Sequence, residues 1–250
     1  MNNLNGLGIG YEYVLGNYMD NRQLDYYTKR VLEKGLSEAE EVLISYYFEV
    51  TDTILDIGTG CGRFAVNAYE KGFTDMFGID MNPKFIGRAL QISETKNYDI
   101  DFSVQNSQYT IFKDRTFESA IFTSDGFSQI PGNENKLAVL KEIYRIMKPI
   151  GILILSVIDE DLVRENSPDY AVLIDEFRKS GDWKTKNFYD ENDVFIYDGG
   201  YMHFATVEET SSLIAKSGFK LLFSATPKYI LGDNDKKSSN ISRFFILTKS

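Results

Sequence analysis

The chain has 250 residues, 43% of them hydrophobic and 26% charged; that length lets ~70–75% of the unfolded surface be buried, so no disulfide-stapled peptide is needed, and that composition is too apolar for a disordered chain. Lys plus Arg number 27 against 37 Asp plus Glu, a net charge of −10, and the resulting field repels phosphate backbones and argues against nucleic acid as a partner. A single cysteine, Cys61, permits no internal disulfide and fits a reducing compartment.

Residues 1 to about 50 read as helical and aromatic, with Tyr11, Tyr13, Tyr18, Tyr26, Tyr27, Tyr46 and Tyr47. The first eight residues have neither the basic n-region nor the apolar h-region of a signal peptide. No apolar run approaches the ~18 residues that would suggest a membrane span, so a cytoplasmic chain without membrane contact is expected.

From Thr53 onward, β-branched runs alternate with helical patterns, as βαβ units and a mainly parallel sheet require. Strands are predicted at Thr53–Ile57, Asp75–Asp80, Ile100–Val104, Phe117–Phe122 and Ile152–Val157. Helices are predicted from Phe64 to Lys71, from Pro83 to about Lys96, and after Pro131, where Leu137, Leu140, Ile143, Tyr144 and Met147 share one face before Lys148-Pro149 ends the run. Near the end, Thr206-Val-Glu-Glu209 reads as a capping box for a helix that stops at Gly218. Lys220–Ala225 and Arg243–Thr248 then read as strands of a hairpin joined by the polar stretch 232–240.

The segment 159–200 stands outside this alternation. It holds twelve Asp/Glu against five Lys/Arg, so −7 of the chain's −10 resides there, and it carries Trp183, Phe188, Tyr189, Phe195 and Tyr197. Carboxylates mixed with rings suit a cationic amine through charge and cation–π contacts, although a charge run is more often a solvated face.

The most informative segment is Leu55-Asp56-Ile57-Gly58-Thr59-Gly60-Cys61-Gly62-Arg63, a strand that passes through a glycine-rich turn into a helix. Glycines at alternate positions let the backbone turn tightly and let a ligand approach beside the free N–H groups of a helix start. A dinucleotide fingerprint beginning at Gly58 would need glycine where Arg63 stands, which argues against an NAD-dependent oxidoreductase.

Asp56-Ile-Gly-Thr-Gly-Cys-Gly62 resembles the first motif of class I S-adenosylmethionine-dependent methyltransferases. Gly78-Ile-Asp80 is similar to the acidic end of that class's second strand, Val104-Gln-Asn106-Ser107 to its loop after the third, and Ile143-Tyr-Arg-Ile-Met-Lys148-Pro149-Ile-Gly151 to its entry into the fifth. The four motifs span about residues 54–157, in order. The resemblance implies an α/β, Rossmann-like, doubly wound seven-stranded sheet, mainly parallel with an antiparallel C-terminal strand and helices on both faces. It also implies one domain: an N-terminal helical cover (1–50), a cofactor-binding core (51–158), a substrate-cover insertion (159–205) and a C-terminal helix and hairpin (206–250).

For the site, the resemblance implies that Asp80 holds the ribose hydroxyls and that Gly58, Thr59, Gly60 and Gly62 lie under the methionine part and ribose. Asp56 would organise the turn, Met81 would pack on the adenine, Asn106 with Ser107 would meet its edge, and Thr123 and Ser124 would sit near the sulfonium. Asn106 stands where the class usually has Asp. Ser124-Asp125-Gly126-Phe127 lacks the two prolines of the clamp that holds a flipped base, so a small-molecule branch is implied, one that resembles quinone-biosynthesis and sugar N-methyltransferases.

Transfer of a methyl group from a sulfonium is mainly a problem of alignment, and an amine acceptor needs no base, whereas a hydroxyl usually does. Two catalytic candidates follow: His203, the only histidine, and Asp125 at a strand end. The competing readings are a histidine bonded within the structure and a turn residue. A helix carrying Tyr11 or Tyr18 is a candidate lid, although aromatics at helical spacing are more often core. Arg63 and Lys84 read as surface residues, Cys61 as a small filler of the turn. One His and one Cys leave only carboxylates for a metal, and none is expected.

The expected activity is N- or O-methylation of a small molecule, cationic or amine-bearing in character by the composition of 159–200, with N-methylation preferred and S-adenosylhomocysteine as second product. The rivals are methylation of a peptide or protein terminus and a catalytically silent cofactor-binding module.

Overall fold

A computed structural model of the chain describes residues 14, 16, 18–181, 191–196, 200–232 and 241–250. Tyr11, Tyr13, Trp183, Phe188, Tyr189 and Tyr197, the side chain of Phe195, and the loop 233–240 lie outside the described residues.

Among the described residues the first complete helices are α1 (Asn21–Lys29) and α2 (Glu38–Tyr47), separated by a π-helical turn at Arg30–Lys34. The alternation follows as predicted: β1 (Ile54–Ile57), α3 (Arg63–Tyr69), β2 (Met76–Asp80), α4 (Pro83–Lys96), β3 (Ile100–Val104), β4 (Phe117–Phe122), α5 (Asn133–Ile146) and β5 (Met147–Ile158). The excursion resolves into two helices, α6 (Glu160–Asn166) and α7 (Pro168–Ser180), and a ribbon of β6 (Asp193–Ile196) with β7 (Gly200–His203). The chain ends with α8 (Val207–Ser217), β8 (Phe219–Ala225), α9 (Pro227–Leu231) and β9 (Ser242–Lys249).

Local chemistry explains where elements begin and end. The Asn82 side chain accepts from the Lys84 N–H and Pro83 takes the first helical position, so α4 starts there; Asn97, at φ 55°, stops it. Thr206 accepts from the Glu209 N–H at 3.1 Å, but only half of the predicted capping box forms, because the Glu209 carboxylate is turned to His203 and Asn133.

The seven-stranded sheet has the order β3-β2-β1-β4-β5-β9-β8. β1 to β5 are parallel, and β9 runs antiparallel between β5 and β8. Successive residues alternate between two buried layers. Ile54, Ile121, Ile154 and Ile246 face one shared with α2, α3 and α4. Leu55, Ala120, Leu153 and Leu247 face the other, shared with α5 and α8. With both faces covered, the central strands β1, β4 and β5 are largely apolar, and each large side chain so buried contributes roughly 1.5–3 kcal/mol.

Two predicted boundaries shift. β5 begins at Met147, and Lys148-Pro149 lies within it, because the β4–β5 register steps from Phe117↔Met147 to Ser119↔Ile152 and the irregularity accommodates the proline. α9 intervenes in the hairpin of β8 and β9.

Candidate active site

The strand order reverses between β1 and β4, which opens a crevice beyond their carboxyl ends. The glycine turn fills the end of β1. Asp56, buried, accepts at Oδ2 from the Thr59 hydroxyl at 2.5 Å and the Ala65 N–H at 3.2 Å, which fixes the turn against the first turn of α3. Burial pushes its carboxyl up to about 7, against the pull of those donors. Asp80, at the end of β2, accepts from the Gly60 N–H at 2.9 Å through Oδ2 and from the Asn82 N–H at 2.8 Å through Oδ1. Burial raises its pKa while the N–H donors favour the carboxylate.

The crevice is a cleft lined on the strand side by Asp56, Gly58, Thr59, Gly60, Asp80 and Met81. Ser107, Thr123, Ser124 and Gln129 continue its wall. The N-terminal segment roofs it with Val14, Tyr18 and Tyr27. Tyr18 and Tyr27 pack on Phe85, with ring centroids 6.3 and 5.1 Å away, and the Asn82 amide donates to the Tyr18 carbonyl at 2.9 Å. Burial raises the pKa of both phenols. Cys61 is buried in the same wall, its thiol pushed up to about 11 by desolvation, which suits a filler and not a nucleophile.

Sequence reasoning missed the cleft's main ion pair. Arg63, expected on the surface, is buried: its Nη1 and Nη2 meet the Glu40 carboxylate at 2.8 and 2.6 Å, and Nη2 also donates to Ser124 Oγ at 2.6 Å. Glu40 further accepts from the Thr123 hydroxyl at 2.5 Å and the Ser37 N–H at 2.8 Å. Burial alone would raise its pKa, but Arg63 and these donors outweigh it and hold the carboxyl down at about 2. Thus α2 is bolted to the end of β4. The signal was present as Ser37-Glu-Ala-Glu40, a capping box that forms fully.

Four predicted site residues lie elsewhere. Asn106 does not line the cleft; its side-chain oxygen accepts from the Gln108 N–H at 2.8 Å, and its neighbours Gln105 and Ser107 are the lining residues. Gly62 caps α3 at φ 89°, and a Cβ there would meet Phe102 at 3.0 Å, so it serves the packing of the turn on β3. Asp125 points away from the cleft into an adjoining cavity, where Oδ1 accepts from the Ser242 hydroxyl at 2.9 Å. Burial raises its pKa.

His203 lines neither space. Only 1% exposed, it sits between Asp193, 2.7 Å from Nδ1, and Glu209, 3.0 Å from Nε2. Desolvation and Lys136 oppose its charge, but the two carboxylates outweigh them and raise its pKa. With both ring nitrogens bonded to carboxylates, His203 ties the β6–β7 ribbon to α8, away from the cleft.

Cofactor chemistry can be tested on the turn itself. Gly60 has φ 57°, and a Cβ there would project to within 3.9 Å of the Tyr27 ring, filling the floor of the cleft. Together with a strand-end carboxylate beside it, that cradle fits a nucleoside with an amino-acid tail.

A parallel sheet of this order, with a glycine turn after β1 and an acid ending β2, defines a class I S-adenosylmethionine-dependent methyltransferase. The model of the methyltransferase domain family matches residues 49–193, more than half of the chain, and the chain belongs to that family, whose cofactor is S-adenosylmethionine. It is 25% identical over 183 residues to the putative methyltransferase YqeM of Bacillus subtilis, a match covering 67% of this chain and 73% of that protein. It is 27% identical over 166 residues to phosphoethanolamine N-methyltransferase 3 of Arabidopsis thaliana; this covers 65% of the chain but only 30% of the relative's length. Among solved structures, a SAM-dependent methyltransferase from Methanosarcina mazei superposes with a TM-score of 0.68 at 20% identity, over 86% of this chain and 98% of that one. No helix among the described residues is long and apolar enough to cross a membrane.

Proposed function

We propose that this chain transfers the methyl group of S-adenosylmethionine to a nitrogen of a small molecule, releasing S-adenosylhomocysteine. In this reading Asp80 grips the ribose hydroxyls and the backbone of Gly58, Thr59 and Gly60 carries the methionine part. Asp56 holds the turn in shape; Met81 and Ser107, with Gln105 in place of Asn106, meet the adenine. Thr123 and Ser124 stand at the reactive end, and Tyr18 roofs it.

When bound, the cofactor supplies an electrophilic methyl carbon. The chain's own contribution is alignment and exclusion of water, for which up to ~7–11 kcal/mol of the barrier is available. One observation carries the choice of acceptor: the cleft is roofed, and the lining carboxyl raised to about 7, that of Asp56, is held within the glycine turn by Thr59 and Ala65, so among the described residues no lining base is left free for an acceptor. The tyrosine and cysteine pKa values are raised, Asp80 is engaged by backbone N–H donors, Asp56 is engaged beneath the turn, and Arg30 and Arg63 are cations. An amine enters with its own lone pair and needs no such base.

The N-methyltransferase name of the Arabidopsis relative points the same way. Other relatives are named for ribosomal protein L11 and an elongation-factor lysine, but a protein acceptor calls for a more open mouth than the roof of Val14, Tyr18 and Tyr27 leaves. The acidic surface disfavours nucleic acid, and a free, buried Cys61 suits the cytoplasm. A panel of small amines and their matched alcohols, assayed with methyl-labelled cofactor, tests the reading. Label is expected in amines; label confined to alcohols or to peptides would refute it.

A further inference from the structure

A second cavity, of about 510 Å³, adjoins the cleft and shares Arg30, Arg63 and Ser124 with it. Of its other charged groups, Arg63 is paired with Glu40, Asp125 is bonded to Ser242, and Glu38 lies exposed in the first turn of α2. Arg30 has no carboxylate within 4 Å among the described residues. Its Nε is buried without a hydrogen-bond partner, and its one polar side-chain contact is a long one, 3.4 Å from Nη2 to Ser124 Oγ. The rings of Tyr26 and Tyr27, 5.9 and 5.8 Å away, hold the guanidinium by their faces and leave its donors unanswered. A buried donor on a cation left without a partner costs free energy, and one that borders a cavity is a receptor for an anion.

Further donors lie on the side away from the cofactor cleft. Lys34, four residues on in the same π-helical turn, lies at the rim, and Ser37, Ser156 and Ser242 line this cavity but not the cleft. A π turn here carries both Arg30 and Lys34 to this cavity, a distortion found frequently at functional sites.

We infer that Arg30, assisted by Lys34, binds an acidic group of the methyl acceptor, so that the acceptor is an amine that also bears a carboxylate or phosphate. This rests on the small-molecule N-methylation reading and sharpens it. The acid lies in the second cavity, and the amine reaches the cleft past Ser124.

Calorimetric titration of inorganic phosphate into the full chain loaded with S-adenosylhomocysteine tests the anion site. Saturable binding is expected, at least ten-fold weaker in Arg30→Gln, partly restored in Arg30→Lys and less affected in Lys34→Gln. No binding by the unaltered chain, or equal binding by Arg30→Gln, overturns the inference. Titrating Arg30→Gln with S-adenosylhomocysteine and with 5′-methylthioadenosine, which lacks the amino-acid tail, separates the two sources of an anion. Affinities within about two-fold of the unaltered chain support the acceptor; a ten-fold loss for the first ligand alone overturns it and gives the guanidinium to the cofactor. Should phosphate bind through Arg30 while no amine of the panel is methylated, the anion site stands and the N-methylation reading is what fails.

Discussion

Arg63 and His203 are both buried nitrogen bases clasped by carboxylates, yet only Arg63 borders the cleft. Around Arg63, Glu40, Thr123 and Ser124 belong to α2 and to the end of β4, so the network ties α2 to the wall of a space that stays open. Around His203, Asp193, Tyr201, Glu209 and Asn133 close on one another, with the Tyr201 hydroxyl 2.5 Å from Asp193, and none of them lines the cleft or the cavity beside it. A reactive residue type therefore says little about function until its partners are known. The commonest catalytic side chain lies away from the cleft here, while an arginine that looked like surface frames it.

The largest expected effect falls on the cleft side. Gly60→Leu should abolish S-adenosylhomocysteine binding by calorimetry, since the side chain would occupy the cradle below Tyr27 at a positive φ. The backbone strain itself should cost only about 1–2 kcal/mol, leaving a folded chain by circular dichroism. Next, Arg63→Met strands the Glu40 carboxylate and should lower unfolding free energy by about 3–5 kcal/mol in urea titrations. Smaller losses would mean that α2 is not held to the end of β4 by this pair.

On the closed side, His203→Gln should lose about 1.5–3 kcal/mol for each charged hydrogen bond removed, while kcat and KM stay within two-fold. Impaired turnover in a stably folded variant would return His203 to the site. The smallest effects are in pH dependence, and the two networks differ in sign. Glu40 is held at about 2, below its ordinary 4.5, so its stabilisation is complete above 4.5 and is lost as pH falls toward 2. His203 is raised above 6.5, so its contribution is complete below that pH and is lost as pH rises through its folded value. Urea unfolding across pH should show Glu40→Gln flattening the acid limb and His203→Gln the alkaline one.

The sheet was legible because both its faces are buried, which leaves short β-branched runs set apart by Pro83, Gly218 and similar stops. The glycine turn and Asp80 were legible because a chain can be bent and charged at a strand end in few ways. Side-chain partners were not. Nothing local to Tyr201-Met-His203 reveals Asp193 ten residues earlier or Glu209 on the next helix, and spacing alone does not tell Asn106 from its neighbours Gln105 and Ser107. Glu40 and Arg63 lie 23 residues apart, and only the capping box at Ser37 marks where that carboxylate is held.

Calorimetric titration of S-adenosylhomocysteine into the chain and into Asp80→Ala bears on everything else. Saturable binding is predicted for the unaltered chain, with affinity at least about 100-fold lower in the variant, as two lost charged hydrogen bonds to the ribose require. Equal heats from the two proteins, or none from either, would contradict the account.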